Sequence, residues 1–396
     1  MTIETNSPLE VMAAATAGIA TGAVVEATSA LAVATAAPRK AWRGQTHVQN
    51  ESTLIVEEFG AMVGKHSERV RVTVKGETVI EVPLIHLRQV LIKGRGAVIS
   101  TDAILACAER GIALHVVGGS ARGAQTGASL YTQGLTGTVQ TRRAQLLAYQ
   151  DQRAVQAGLG FARAKITNQA ALLHYTARNH KQSQPALSHE LRVIEHEVLD
   201  HVAELDELAQ RRSTDLIDDL RNALMSVEGR AAKRYWAGVR LILPAELKWE
   251  GRFGRGARDP FNSALNYGYA ILARMVEQAV LLAGLDPFAG FVHADRPGKP
   301  SLTLDMIEEF RQPVVDRVLL GMVGKQMELA VREDGMLTDE SRRAIAQRIT
   351  QRLDESTERY EGHRVLLRVI LQSQARHLAT FLRGERPTYE GFVLKG

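Results

Sequence analysis

A histidine and a group of acids lie close together between residues 291 and 311, in the sequence FVHADRPGKPSLTLDMIEEFR. An apolar lead-in reaches His293, a loop with two prolines and one glycine follows, and a predicted helix then carries Asp305, Glu308 and Glu309. Asp305 and Glu308 fall on one stripe of this helix, where like charges destabilise it unless a positive charge lies between them. The segment is therefore either a solvated helix face or half of a metal site. An imidazole combined with carboxylates suits Mn²⁺ or Mg²⁺.

One histidine and one helix supply too few ligands for a metal ion, so a further acid is expected from elsewhere in the chain. A helix predicted over residues 214–241 contains several acids. Asp215, Asp218 and Asp219 lie in its first turn, where the helix dipole alone explains them. Glu228 lies in mid-helix among small residues that permit close approach, which makes it our choice. The alternative is an ordinary surface glutamate.

Basic residues gather in the glycine-rich loop GRFGRGARDP, at residues 251–260, and again beside the histidine. A helix is predicted to begin at Asp259, followed by proline at its first position. Backbone N–H groups, a helix N-terminus and guanidinium groups together predict a site for phosphate, while the alternative is a flexible basic loop. The candidate phosphate-contacting residues are Arg252, Arg255, Arg258, Arg296 and Lys299.

The whole chain has 396 residues, more than a single core usually supports, so two folded domains are expected. Its formal net charge of +5 permits a polyanionic partner without requiring one. The single cysteine, Cys107, excludes a disulfide within the chain and fits a reducing cytoplasm, with packing as its predicted role. The Ala/Thr-rich residues 11–37 are too weakly apolar for a membrane span, and no membrane association is expected.

Alternation of apolar residues changes to a helical period near residue 139, which predicts an α+β protein. Residues 1–50 are interpreted as a disordered or loosely helical extension, residues 51–138 as a small β-rich domain with one helix, and residues 139–396 as a larger all-α domain. Pro313 is expected to kink or split one of the long helices. The predicted helices of the larger domain cover residues 140–178, 187–210, 214–241, 259–283, 301–332 and 338–383.

Three segments in this order resemble a known family: MSVEGRAAKRYW, DPFNSALNYGYAIL and GFVHADRPGKPSLTLDMIEEFR. They are similar to the CRISPR-associated endonuclease/integrase of spacer acquisition, the Cas-one family. The strand-rich part and the segment QARHLATFLRGERPTYEGF resemble the same family, so the likeness covers about residues 52–393. The extension to about residue 50 and the stretch GGSARGAQTG have no counterpart that we can place.

The resemblance implies an N-terminal β-sandwich-like domain, a helical catalytic domain, a homodimer and a complex with a small partner of the Cas-two family. It implies insertion of short DNA segments into a CRISPR array by phosphodiester transesterification on double-stranded and branched DNA. Matched residue by residue, it implies Mg²⁺ or Mn²⁺ held by Glu228, His293 and Glu308, with Asp305 as a further catalytic acid. Glu309 is then expected on the helix surface or behind the ligands.

Two alternatives stay open from the sequence. One is a transposon-type integrase of the same fold, although an additional DNA-binding module, usual in such proteins, is not evident. The other is a catalytically silent DNA-binding scaffold, against which the intact set of candidate ligands argues.

Overall fold

The computed structural model describes most of the chain from residue 46 onward. The described ranges are residues 46–49, 53–93, 96–119, 125–130, 138–212, 216–254 and 256–395. Nearly all of the predicted extension, together with Asp215, Arg255 and the middle of the stretch GGSARGAQTG, lies outside them.

Nine strands and one helix form the first part of the described chain, which is built as two sheets. The strands are β1 (His47–Gln49), β2 (Thr53–Val56), β3 (Ala61–His66), β4 (Arg69–Val74), β5 (Glu77–Pro83), β6 (Gln89–Lys93), β7 (Val98–Ile99), β8 (Ala113–Gly119) and β9 (Gln125–Leu130). One sheet has the order β1-β2-β6-β8-β9 and the other β5-β4-β3-β7. The helix α1 (Thr101–Glu109) lies between β7 and β8 in sequence. The strand-rich half of the predicted α+β fold is confirmed.

A shared apolar core joins the two sheets. Alternate residues of β4 are buried, with Val70 and Val72 inward, and they pack in one cluster with Leu54 of β2 and Val90 of β6. Strands β4 and β5 form a hairpin, since they are consecutive and pair antiparallel. Cys107 is buried in the same cluster, which confirms its packing role.

The second part of the chain is mainly helical and has a separate, larger core. Its helices are α2 (Thr138–Ala148), α3 (Gln152–His180), α4 (Pro185–Arg211), α5 (Ile217–Ile242), α6 (Pro260–Leu282), α7 (Ser301–Ile307), α8 (Arg317–Gly324), α9 (Asp339–Glu355) and α10 (Leu367–Leu382). Helices α3, α4 and α5 pack on one another, and α6 contacts α7, α9 and α10. Within the described ranges, no helix combines the length and apolarity needed to cross a membrane.

Three long helices predicted from the sequence are divided in the structure, and the one over residues 140–178 consists of α2 and α3 with residues 149–151 between them. The predicted helix over residues 301–332 consists of α7, a π-helical turn (Arg311–Asp316) and α8. Pro313 lies inside the π-helical turn, so the split expected near it is confirmed. The predicted helix over residues 338–383 is wrong in its middle, where β10 (Thr357–Tyr360) and β11 (His363–Leu366) form a hairpin.

The hairpin between α9 and α10 depends on a local turn, which the helical spacing of apolar residues does not indicate. Glu361 and Gly362 join its strands, with φ of 47° and 85°. Two successive residues with positive φ twist a two-residue turn in the sense that paired strands require. The chain therefore forms a hairpin between α9 and α10 and does not continue as one helix.

Helix α6 approaches the π-helical turn closely at a glycine. A Cβ atom on Gly268 would lie 2.6 Å from Val315 Cγ1 and 3.1 Å from Ile349 Cδ1. Only a residue without a side chain permits this contact, which holds α6 against the segment that follows α7.

We expect Gly268→Ala to lower the free energy of unfolding by ~1–3 kcal/mol, because the added methyl group overpacks this contact. Denaturant unfolding followed by circular dichroism measures the effect. Gly321→Ala is the matched control, since a Cβ there meets nothing within 4 Å and α8 should gain up to ~1 kcal/mol. Equal midpoints for Gly268→Ala and the wild type would contradict the overpacking argument.

Candidate active site

A buried lysine ammonium lies between two buried glutamates. Lys165 Nζ, from α3, is 3.1 Å from Glu228 Oε2 and 3.0 Å from Glu308 Oε2. Glu228 belongs to the middle of α5, and Glu308 is the residue at which α7 ends. Their relative exposures are 8% and 3%. The structure thus brings together two acids that the sequence places on separate helices.

Charge balance decides the protonation of this group. Burial raises the pKa of Glu228, and Lys165 only partly offsets that effect. Burial also acts on Glu308, but Arg311 and Lys165 outweigh it and lower its pKa. Burial alone would lower the pKa of Lys165, yet the charges of Glu228 and Glu308 raise it. The pair therefore holds Lys165 in its charged form.

Glu308 has a second cation at its other oxygen. Arg311 Nη2 lies 3.2 Å from Glu308 Oε1. Lys165 meets the distance of an ion pair at Oε2 but not the geometry of a hydrogen bond, so among the described residues this buried oxygen has no hydrogen-bond donor. Oε2 thus keeps lone pairs available for a cation.

His293 is held by Asp305, at the opposite end of the loop that the sequence singled out. Asp305 Oδ1 accepts from the backbone N–H of His293 at 2.8 Å and lies 2.7 Å from its Nδ1. Asp305 Oδ2 accepts from the N–H groups of Phe291 and Val292 at 2.6 and 3.1 Å. Because a carboxylate accepts at Nδ1, the neutral imidazole has its hydrogen on Nδ1 and the lone pair on Nε2. Asp305 therefore fixes both the loop and the imidazole.

In its protonated form the His293 imidazole lies close enough to Glu228 and Glu308 to lower the pKa of both. No three His, Cys, Asp or Glu side chains of the described ranges already form a ligand set. The Lys165 ammonium lies between the carboxylates of Glu228 and Glu308.

A buried network lies behind Glu308. The Arg311 guanidinium stacks 4.9 Å from the centre of the Tyr269 ring, and Tyr269 Oη donates to Asp316 Oδ1 at 2.5 Å. Tyr235 Oη donates to the other oxygen of Asp316 at 2.7 Å. Burial raises the pKa of Asp316 to about 6, against the hydrogen bonds from both tyrosines. The network anchors Arg311, and through it the orientation of Glu308.

Glu309 is fully buried, which excludes the helix surface and leaves the expected position behind the ligands. Tyr389 Oη donates to Glu309 Oε1, and the N–H of Phe392 donates to Oε2 at 2.9 Å. Burial raises the pKa of Glu309 to about 8. Its contacts lie on the side of α7 that faces Tyr389 and Phe392.

The predicted phosphate-contacting residues lie in different environments. Arg252 packs inward, with its guanidinium 5.5 Å from the centre of the Tyr269 ring and 2.8 Å from Asn266 Oδ1. Arg258 and Arg296 are exposed, and Lys299 is half-buried with Nζ 3.4 Å from the Ala294 carbonyl. The predicted helix start is confirmed, since Asp259 Oδ1 accepts from the N–H of Asn262 at 2.8 Å.

Sequence reasoning missed Lys165, Arg311 and Asp316. Lys165 is the one charged residue between Arg163 and Arg178, in a run rich in alanine and leucine. A lone charge in such a run is a usable signal for a buried ionic partner.

The comparisons with known proteins agree with one another. The family described as "CRISPR associated protein Cas1" matches residues 54–351, which include all three proposed ligands. The CRISPR-associated endonuclease Cas1 1 of Archaeoglobus fulgidus is 38% identical over 353 residues, which cover 86% of this chain and 99% of that relative.

Two solved structures share the fold. A casposase bound to its integration product superposes with a TM-score of 0.67 at 21% identity, covering 86% of this chain and 92% of the casposase chain. A chain of a Cas6-RT-Cas1--Cas2 complex superposes with a TM-score of 0.61 at 17% identity, covering 88% of this chain and 37% of that one. At these identities the likeness concerns the fold alone.

We expect Lys165→Met to lower the free energy of unfolding at pH 7 by ~3–5 kcal/mol, because it leaves two buried carboxylates without the cation between them. Chemical denaturation in the presence of a metal chelator measures this loss of unfolding free energy. Lys181→Met, at an exposed lysine of the turn after α3, is the control and should change the free energy of unfolding by less than ~0.5 kcal/mol. Equal losses in the two variants would contradict the charge-balance argument.

We expect Asp316→Asn to gain stability relative to the wild type as the pH rises. The carboxyl has a pKa of about 6 in the folded protein against an ordinary value of 3.8, so the native state binds more protons between these values. Wild-type stability therefore falls as the pH rises through this window, by up to roughly 3 kcal/mol, whereas asparagine does not titrate.

Urea unfolding of the wild type and Asp316→Asn at pH 4 and pH 7 gives this difference directly. A stability difference between the two proteins that stays constant over this range would show that Asp316 does not titrate as argued.

Proposed function

The chain belongs to the Cas1 family of CRISPR-associated proteins, and on this basis we propose that it is a DNA endonuclease and integrase that inserts short foreign DNA segments into a CRISPR array. The family match over residues 54–351 and the relative at 38% identity support the assignment. The observation that carries it is the meeting of Glu228 and Glu308 around one buried cation, with His293 beside them.

The residues present fit a divalent metal ion. Carboxylate oxygens and one imidazole nitrogen are donors that Mg²⁺ and Mn²⁺ accept, and Glu308 Oε2 is a buried oxygen without a hydrogen-bond donor in the described ranges. Glu228, His293 and Glu308 would hold the ion. When bound, it would supply Lewis acidity toward a phosphodiester.

The other residues orient this set. Asp305 holds His293 through Nδ1 and leaves Nε2 directed away from the carboxylate, as is usual for histidine ligands. Arg311 holds one oxygen of Glu308. Arg296 and Lys299, on the loop after His293, are suited to contact the DNA backbone and thereby position it.

The proposed reaction exchanges one phosphodiester bond for another. A 3′-hydroxyl of the incoming DNA attacks a phosphorus atom of the array, the new P–O bond forms as the old one breaks, and the hydroxyl proton passes to the departing 3′-oxygen through solvent. With water in place of the 3′-hydroxyl, the same site cuts DNA, which is endonuclease activity.

Partners follow from the family in the same proposal. The structure solved as a Cas6-RT-Cas1--Cas2 complex includes Cas2, and we expect this chain to act as a homodimer with a Cas2-family partner on double-stranded and branched DNA, in the cytoplasm. The casposase likeness, at 21% identity, shows fold and does not favour a transposon-type integrase over the CRISPR-associated relative at 38%.

We expect Glu228→Gln and His293→Ala to reduce joining of short DNA to supercoiled array DNA by at least ~100-fold, because each removes one of three ligands. The assay contains the Cas2-family partner and Mn²⁺, and EDTA should abolish the wild-type reaction. Glu246→Gln, at an exposed glutamate after α5, is the control and should retain full activity. Wild-type rates in folded Glu228→Gln protein would refute the proposed site.

A further inference from the structure

The helix that carries Glu308 is broken at this residue. Glu308, Glu309 and Phe310 each donate their N–H to the carbonyl three positions earlier, at 3.3, 3.4 and 2.9 Å, before the π-helical turn begins. In an unbroken α-helix the carbonyl of Glu309 would accept from residue 313, but Pro313 has no N–H. The break therefore leaves a buried carbonyl without its helical donor.

Asn168 of α3 supplies the missing donor. Its Nδ2 donates to the carbonyl of Glu309 at 2.9 Å and to the carbonyl of Phe392 at 2.8 Å. Its Oδ1 accepts from the N–H of Leu394 at 2.8 Å. Asn168 is completely buried, and its amide joins the break to the segment of residues 389–394, which we call the strap.

The strap also contacts Glu309 and Phe310, the two residues that follow Glu308. Tyr389 and the N–H of Phe392 donate to the two carboxylate oxygens of Glu309. The rings of Phe310 and Phe392 stack with centroids 5.6 Å apart and planes 12° from parallel. The strap thus fixes the Glu309 side chain and the Phe310 ring, and Asn168 fixes the Glu309 carbonyl.

The strap crosses α3 within one turn of Lys165. A Cβ atom on Gly391 would lie 2.6 Å from Ala164 Cβ and 2.8 Å from the Gly160 carbonyl, so the strap lies directly on the helix backbone. The same six residues therefore contact α3 beside Lys165 and the chain directly after Glu308.

We propose that the strap and Asn168 are positioning elements that set the distance of Glu308 from Glu228 and so determine the affinity of the site for a divalent cation. These residues contact Glu309 and are proposed to act through Glu308. The inference rests on the proposed function for the identity of the bound ion, and on the hydrogen bonds above for the rest.

The test measures Mn²⁺ binding by calorimetry without DNA, and joining rates as a function of Mn²⁺ concentration. Tyr389→Phe removes one donor to Glu309 and keeps the ring that packs on Phe161. We expect it, like Asn168→Ala, to weaken Mn²⁺ binding by roughly tenfold and to raise the Mn²⁺ concentration for half-maximal joining equally, with little change in the saturated rate. Glu309→Gln keeps one acceptor oxygen for the N–H of Phe392, and its NH₂ group can donate to Tyr389 Oη, so it should bind Mn²⁺ more tightly than Glu309→Ala.

Two controls separate positioning from general destabilisation. Lys395→Ala alters an exposed residue beyond the strap and should bind Mn²⁺ as the wild type does. Val198→Ala removes two buried methyl groups of α4 and should lower the melting temperature while leaving Mn²⁺ affinity unchanged.

Wild-type Mn²⁺ affinity in folded Tyr389→Phe and Asn168→Ala, or an equal loss in Val198→Ala, would overturn the positioning role alone. If wild-type protein shows no Mn²⁺ binding that depends on Glu228, both the proposed function and this inference fall.

Discussion

The charge balance between Lys165 and two buried glutamates constrains the whole helical part of the structure. Two carboxylates removed from water are tolerated only when cations and hydrogen-bond donors surround them. Lys165 and Arg311 provide the cations, which requires α3, α5 and the segment after α7 to meet at one place. The packing of these elements therefore serves an electrostatic condition as well as an apolar core.

The same condition explains why polar groups are numerous behind the site. A cation such as Arg311 needs its own support, which the Tyr269 ring provides, and Tyr269 in turn donates to Asp316. Each group of this network supports the charge or hydrogen bond of its neighbour, so a substitution far from the glutamates changes their surroundings. Networks of this kind give a buried site one defined arrangement, because a half-satisfied network is costly.

The change from strands to helices was predictable from the sequence, because the spacing of apolar residues within each short segment indicates a strand or a helix. Motifs in the sequence make Glu228, His293 and Glu308 the candidate ligands, and the Asp305–His293 contact spans only 12 positions. Lys165 was not found, because its partners lie 63 and more positions away and depend on how helices pack. The hairpin after α9 was missed because its helical period continues through a turn set by positive φ at Glu361 and Gly362.

Pro313 has a consequence for the order in which the protein assembles. Because it removes an N–H, the carbonyl of Glu309 depends on Asn168, which in turn bonds to residues 224 and 226 positions later. These contacts can form only after residues 392–394 have been synthesised, and they close a long loop at an entropic cost. A growing chain can contain every proposed ligand and still lack the fixed geometry around Glu308. Maturation of the site is thereby tied to completion of the helical fold.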